Sequence, residues 1–233
     1  MTNDLPKYAI IVAGGSGSRM LSTVPKQFLL LAGLPVVMHT IRAFHQSKFQ
    51  PQLILVLPAD FHSYWEQLCV DHQFKIPHRL VNGGETRFHS VKNALNLIPA
   101  EQNSIIAVQD AVRPLTDTQI IDHAYNFAAE YGNAVVAVKS RDSVRQGKEN
   151  SSRCLVRDEI YLVQTPQTFL SAQLKKAYEQ QYQTKFTDDA SVVEETGVTI
   201  NLVEGNYRNI KVTFPEDLAI AELFLKASVP GKI

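Results

Sequence analysis

The sequence predicts an α/β protein with a parallel sheet, and two observations carry that prediction. Short apolar, β-branched runs recur at Tyr8 to Val12, Gln52 to Leu57, Ser104 to Gln109, Ala134 to Val138 and Thr199 to Val203, each with the length and composition of a buried strand. Longer stretches between them place apolar residues at helical spacing. Val37, Ile41 and Phe44 do so in Val36 to His45, Trp65 and Leu68 in Phe61 to Val70, and Ile121, Tyr125 and Ala128 in Thr118 to Tyr131. Strands joined by helical crossovers pair in parallel and gather ligand-bearing loops beyond their carboxyl ends. Function is therefore expected in the loops that follow strands.

The remaining elements follow from punctuation. Asn82 to Ser90 leads into a helix running to about Ile98, and Thr213-Phe-Pro-Glu216 has the S/T-x-x-E capping spacing for a last helix over Pro215 to Lys226. Thr187-Asp188-Asp189 puts a hydroxyl and two carboxylates at another first turn. From Lys139 to Gln164 the alternation gives way to charges, Gly147 and a polar Lys148-Glu-Asn-Ser-Ser152 stretch, which suggests a hairpin arm leaving the sheet. No repeat or linker interrupts the chain, so one domain over 1–233 with an arm at about 139–164 is expected. Tyr8, Phe28, Phe44 and Trp65 read as core.

Composition narrows the function. The chain has 233 residues, 45% hydrophobic and 20% charged, with 23 basic residues against 23 acidic. That length buries roughly 70% of the unfolded chain's surface, so neither metal nor disulfide is needed for stability. A net charge of zero provides no global field for a nucleic acid or an anionic membrane, and any anion site must be local. The two cysteines, Cys69 and Cys154, lack zinc-ligand spacing, and the seven histidines show neither metal spacing nor a triad pattern. The first residues lack the basic start and apolar core of a signal peptide, no apolar run reaches membrane-spanning length, and the C-terminus carries no lipidation motif. A cytoplasmic protein is expected.

Directly after the first strand stands Ala13-Gly14-Gly15-Ser16-Gly17-Ser18-Arg19-Met20, followed by Pro25-Lys26-Gln27. Glycines let successive backbone N–H groups turn toward an anion and form a concavity that suits phosphate oxygens. Arg19 and Lys26 add full charges. The run is not a dinucleotide fingerprint, which needs glycine where Met20 stands, nor a Walker A loop, which needs Gly-Lys-Ser/Thr where the chain has Arg19-Met20-Leu21. A glycine cluster alone is often just a tight turn. With its cations, this one resembles the triphosphate loop of sugar-nucleotide-type nucleotidyltransferases.

Other constellations lie at expected loop positions. Asp110 and Arg113, in Val108-Gln-Asp-Ala-Val-Arg-Pro114, stand where the third long strand ends. They form either a structural ion pair or a site in which Asp110 helps hold a metal–phosphate group and Arg113 contacts an anion. Mg²⁺ suits this, because one or two carboxylates plus substrate phosphates are enough to hold it. Gly83 and Gly84 can bring backbone close to a base or ribose, or form an ordinary loop before a capped helix. Arg141-Asp142-Ser143, Arg157 and Gln164-Thr165-Pro166-Gln167 set hydroxyls and guanidinium groups around the arm, which fits a phosphate or polyol. Lys211 sits in the apolar Asn209-Ile-Lys-Val-Thr213 segment, where a lysine is either on an edge strand or near an anion.

Taken in order, the 13–20 loop, Pro25-Lys-Gln27, Asp110-Ala-Val-Arg-Pro114, Thr165-Pro-Gln167, Thr187-Asp-Asp-Ala-Ser191 and Asn209-Ile-Lys-Val-Thr213 closely resemble the 2-C-methyl-D-erythritol 4-phosphate cytidylyltransferases over nearly the whole chain. The resemblance implies a Rossmann-like nucleotidyltransferase domain with a mainly parallel central sheet, and a homodimer made by exchanged arms. It also implies transfer of the cytidylyl group of CTP to methylerythritol phosphate, a step of non-mevalonate isoprenoid synthesis, and the neutral charge and short apolar runs add the expectation of neither nucleic acid nor membrane as a partner. By position it makes Arg19, Lys26 and Lys211 catalytic. Ala13, Gly14, Gly15, Gly17, Gly84, Ser90 and Asp110 become nucleotide-binding residues, with Asp110 also the metal ligand. Arg113, Ser143, Arg157, Thr165 and Thr187 fall on the acceptor side, with Arg157 and Thr165 expected from the partner's arm. Ser143 replaces a usual threonine, Gln109 stands where the family often has histidine, and Gly14 replaces a common alanine. A ribitol 5-phosphate cytidylyltransferase shares the same loops, although Thr187 to Ser191 favours methylerythritol phosphate. A module that holds CTP without turning it over is the alternative of another class.

Overall fold

Alternation along the central strands organises the molecule, because successive side chains point to opposite faces of the sheet. The computed structural model describes residues 5–14, 24–99 and 102–227. Strand β1 (Lys7–Val12) is followed by a short hairpin of β2 (Leu30–Leu31) and β3 (Leu34–Pro35), then α1 (Val36–Gln46), β4 (Gln52–Leu57), α2 (His62–Asp71), β5 (Arg79–Asn82), α3 (Arg87–Leu95) and β6 (Ile105–Asp110). The chain continues through α4 (Thr118–Tyr131), β7 (Asn133–Lys139), the hairpin of β8 (Arg145–Lys148) and β9 (Ser151–Cys154), β10 (Tyr161–Leu170), α5 (Ser171–Tyr178), α6 (Asp189–Glu194), β11 (Leu202–Glu204) and α7 (Pro215–Ala227).

One sheet runs β11-β7-β10-β6-β1-β4-β5. Its pairs are parallel except those of β10, which is antiparallel to both β6 and β7. On one face Ala9, Ile11, Leu53, Leu55, Ile105 and Ala107 pack against Ile41 and Phe44 of α1, Trp65 of α2 and Ile121 and Tyr125 of α4. On the other, Tyr8, Ile10, Ile54, Val56, Ile106 and Val108 meet Phe88 and Val91 of α3 and Leu174 and Tyr178 of α5. Each fully buried Leu or Ile contributes about 1.5–3 kcal/mol. Tyr8, Phe28, Phe44 and Trp65 are buried as expected.

The chain leaves β1 toward β4 on one side and returns to place β6 on the other. The crevice beyond the carboxyl ends of β1 and β6 is thus the switch point where α/β sheets bind ligands. In register, Val12 stands opposite Asp110, which sets the start of the glycine loop beside the carboxylate.

Several expectations shift. The arm, expected at about 139–164, is shorter at its far end: β10 rejoins the sheet at Tyr161, opposite Lys139. The polar Gln164 to Gln167 stretch hid this strand, and it coincides with a shift of register between Val163 and Gln167. The strand read at Thr199 to Val203 lies at Leu202–Glu204, since Asn201 is held by the Asn133 side chain instead. The last helix is capped by Asp217, not Glu216: its carboxylate accepts the N–H groups of Thr213 and Phe214 at 2.7 and 2.8 Å. Lys211 lies in a loop and not on an edge strand. Strand β5, helix α5 and the β2–β3 hairpin were not anticipated, being short or opened without a side-chain cap. Among the described residues no helix is long and apolar enough to cross a membrane.

Candidate active site

The mouth of the glycine loop is held by backbone contacts. The Ala13 N–H donates to the Val56 carbonyl at 2.9 Å, and the buried Gln27 side chain donates to the Ala13 carbonyl at 2.9 Å. That bond ties the single 3-10 turn Lys26–Phe28, which follows Pro25 and is anchored by Phe28 against Tyr64 and Trp65, to the end of β1. Lys26 therefore reaches the same space as Gly14. Opposite, Thr86 caps α3 by accepting the His89 N–H, and the Gly84 N–H donates to the buried Ser90 hydroxyl at 3.0 Å. A Cβ on Gly84 would fall 2.4 Å from that of His89, closer than any packed pair tolerates. Only glycine lets the loop lie this close to the helix. Ala13, Gly14, Lys26, Gly84, Ser90, Arg87, Asp110 and Lys211 all line one cleft of about 200 Å³. Gly15, Gly17 and Arg19 lie outside the described residues.

A second chamber, of about 170 Å³, opens on the other side of Asp110 and is lined by Arg113, Thr165, Thr187 and Asp188 together with Arg87, Asp110 and Lys211. The last three residues belong to both. Asp110 Oδ2 lies 3.0 Å from Lys211 Nζ and 3.5 Å from Arg113 Nε, and Oδ1 lies 3.7 Å from Arg87 Nε. Burial by itself would raise the Asp110 carboxyl, but Arg87, then Lys211 and Arg113, outweigh it and hold the group well below the usual carboxylate range. Asp110 stays ionised.

Arg87 was missed by the sequence reading. Its Nη2 lies 2.6 Å from Oδ2 of the fully buried Asp189, whose Oδ1 accepts the Tyr178 hydroxyl at 2.7 Å. Burial disfavours the Arg87 charge, yet Asp189 and then Asp110 more than compensate and raise its pKa. One local signal existed: an arginine in the first turn of a helix opposes the dipole and calls for a carboxylate nearby.

The other sequence candidates divide. Thr165 was expected from a partner's arm, but its hydroxyl accepts the Asp110 N–H of its own chain at 3.1 Å, because β10 runs beside β6. Arg113 turns inward: Nη1 donates to the Asn209 carbonyl at 2.7 Å, while Nε has no hydrogen-bond partner and burial lowers the group's pKa despite Asp110. Thr187 is exposed at the rim, with its N–H on the Ser191 hydroxyl at 3.1 Å. Ser143 and Arg157 stand exposed on the arm and line neither chamber, and Arg157 pairs with Asp158 at 3.7 Å.

Among the described residues no cluster of three or more His, Cys, Asp or Glu could hold a metal. Asp110 nevertheless fits Mg²⁺. It is a hard, ionised oxygen donor whose Oδ1 lies 3.7 Å from Arg87 Nε, and Mg²⁺ takes most of its remaining ligands from substrate phosphates and water.

Comparison with known proteins gives a consistent result. The family model for IspD, 2-C-methyl-D-erythritol 4-phosphate cytidylyltransferase, matches residues 8–227. A 2-C-methyl-D-erythritol 4-phosphate cytidylyltransferase of Bacteroides thetaiotaomicron is 46% identical over 221 residues, 95% of this chain and 100% of the relative. The crystal structure of the 4-diphosphocytidyl-2C-methyl-D-erythritol synthase of Anaerococcus prevotii superposes with a TM-score of 0.81 at 26% identity, covering 95% of this chain and 96% of that one. The Francisella tularensis cytidylyltransferase superposes with a TM-score of 0.77 at 31% identity, covering 94% and 99%. With a match spanning both chambers and every strand of the sheet, this chain belongs to the IspD family of 2-C-methyl-D-erythritol 4-phosphate cytidylyltransferases.

Proposed function

We propose that the chain transfers the cytidylyl group of CTP to 2-C-methyl-D-erythritol 4-phosphate, giving 4-diphosphocytidyl-2-C-methyl-D-erythritol and pyrophosphate, a step of isoprenoid biosynthesis. The observation that carries this is the pair of chambers meeting at Asp110, Arg87 and Lys211: a donor on one side and an acceptor on the other would touch across these charges. Gly84 and Ser90 hold the nucleoside at the entrance to α3, while the 13–19 loop with Arg19 and Lys26 holds the triphosphate. The acceptor phosphate enters from the Thr165 and Thr187 side.

A phosphate oxygen of the acceptor attacks the α-phosphorus of CTP in line. The new P–O bond forms as the bond to the β-phosphate oxygen breaks, and pyrophosphate leaves with the electron pair. A phosphate monoester is already largely anionic near neutral pH, so no side chain needs to act as a strong base. Positioning and charge stabilisation by Lys26, Arg19 and Lys211 supply the rate. Asp110 keeps Lys211 aimed into the gap at 3.0 Å. Asp110, together with the substrate phosphates, would hold Mg²⁺, which would supply neutralisation of triphosphate charge when bound.

A homodimer belongs to the same reading. Val156, Tyr161, Leu162 and Val163 are exposed at the base of the arm, and an exchanged arm would bring Ser143 and Arg157 to the partner's acceptor chamber. A cytoplasmic location agrees with two free thiols, Cys69 and Cys154. The test is pyrophosphate release from CTP with methylerythritol phosphate and ribitol 5-phosphate side by side. Faster release with the first is expected. Preference for the second identifies the ribitol alternative, and no acceptor-dependent release identifies a binding module.

A further inference from the structure

Asn209 occupies a position that none of the roles above uses. It is fully buried, and each of its side-chain hydrogen-bonding groups is engaged. Its Oδ1 accepts the Thr116 hydroxyl at 2.9 Å, and its Nδ2 donates to Gln164 Oε1 at 3.1 Å and to the Thr165 carbonyl at 2.9 Å. Its backbone carbonyl accepts Arg113 Nη1 at 2.7 Å, and its N–H donates to the Asn206 carbonyl at 2.9 Å. Gln109 extends the network by donating to the Thr116 hydroxyl at 2.9 Å. One amide thus ties together the segment after β6, the irregular stretch of β10 and the loop before α7. The first of these follows directly on Asp110, and the other two carry Thr165 and Lys211.

We propose that Asn209 is a positioning residue for the transfer step and that it acts through Lys211. Lys211 lies in a loop, and its side chain is 43% exposed, yet it meets Asp110 at 3.0 Å. A long, half-exposed side chain holds such a position only if its backbone is fixed. Two clamps supply this: Asn209 on one side, and on the other the Val212 N–H, which donates to the Val112 carbonyl at 2.8 Å. Asparagine suits the first clamp because an amide offers an acceptor and two donors at once, which neither serine nor aspartate provides. An amide whose acceptor and both donors are engaged favours one local conformation, even though Gln109 Oε1 and Arg113 Nε at the edge of the network have no hydrogen-bond partner.

The inference rests on Lys211 acting in the transfer, and a kinetic double-mutant cycle separates the two claims. Asn209→Ala, Lys211→Ala and the double variant are compared by kcat and KM for each substrate, alongside the thermal midpoint. Asn209→Ala is expected to lower kcat roughly 10- to 100-fold, the scale of a small misplacement at a reacting centre, with little change in KM for CTP. The double variant is expected to turn over about as fast as Lys211→Ala alone, because the second change removes nothing further. Losses that multiply in the double variant, or unchanged kcat in Asn209→Ala, overturn the positioning role and leave Lys211 standing. Unchanged kcat in Lys211→Ala overturns both. If Asn209→Ala does not fold, Thr116→Val takes its place. It lies outside both chambers, and a roughly 3- to 10-fold loss of kcat that again fails to multiply is expected.

Discussion

The two chambers that meet at Asp110 are built by different means. The chamber proposed for the nucleotide is made largely of backbone: the ends of β1 and β6, the tethered Lys26 turn, and a loop pressed against α3 at Gly84. The chamber proposed for the acceptor is made of side chains from elements remote in sequence, with Arg113, Thr165 and Asp188 around a rim where Thr187 is exposed. A wall of backbone presents one shape and tolerates little added volume. A wall of side chains can change its residues without changing its fold, so acceptor preference is easier to alter than nucleotide preference.

The largest effect expected on this contrast is at Lys26, which lines only the nucleotide cleft. Lys26→Ala should lower kcat by on the order of 10²–10³-fold, the loss seen when one preorganised transition-state donor is deleted. Steady-state turnover checks it, and near-normal turnover removes the triphosphate from that side.

The shared carboxylate comes next. Asp110→Asn leaves Arg87, Arg113 and Lys211 without their common counter-charge and should destabilise the fold by about 3 kcal/mol at pH 7, the lower range for breaking a buried pair. The pH dependence carries a sign. The folded Asp110 titrates below its ordinary 3.8, so its stabilisation is fully present above that pH and is lost as pH falls below it. Denaturant midpoints of the parent chain should therefore drop in that acid range more steeply than those of Asp110→Asn, and parallel curves would contradict the charge arrangement.

The smallest effects sharpen the comparison most. Gly84→Ala should raise KM for CTP about tenfold, the consequence of one to two kcal/mol of overpacking against His89, and leave KM for the acceptor unchanged. Thr187→Ala should do the reverse by a few-fold, since a single hydroxyl at an exposed rim contributes about 0.5–1.5 kcal/mol. If both variants changed the same KM, the division into donor and acceptor sides would fail.

Much of this was legible in the chain. The strands β1, β4, β6 and β7 and the helices α1, α2 and α4 were read from periodicity, Lys26 and Asp110 from loops that follow strands, and Gly84 from its place at a helix entrance. The unanticipated β5, α5 and β10 have a common cause. They are short, or they carry polar residues such as Gln164 and Gln167 whose burial depends on partners far along the chain.

What the sequence by itself determined was local: strand and helix periods, the glycines that let backbone approach, and carboxylates that cap helices, each an interaction between residues a few positions apart. Tertiary structure alone decided that Arg87 would meet Asp189 across 102 positions, that Asn209 would meet Thr116 across 93, and that Arg87 and Lys211 would join the neighbouring Arg113 at Asp110. The reason is physical: Coulomb and hydrogen-bond energies depend on distance in space, and for residues this far apart in the chain only the completed sheet sets that distance.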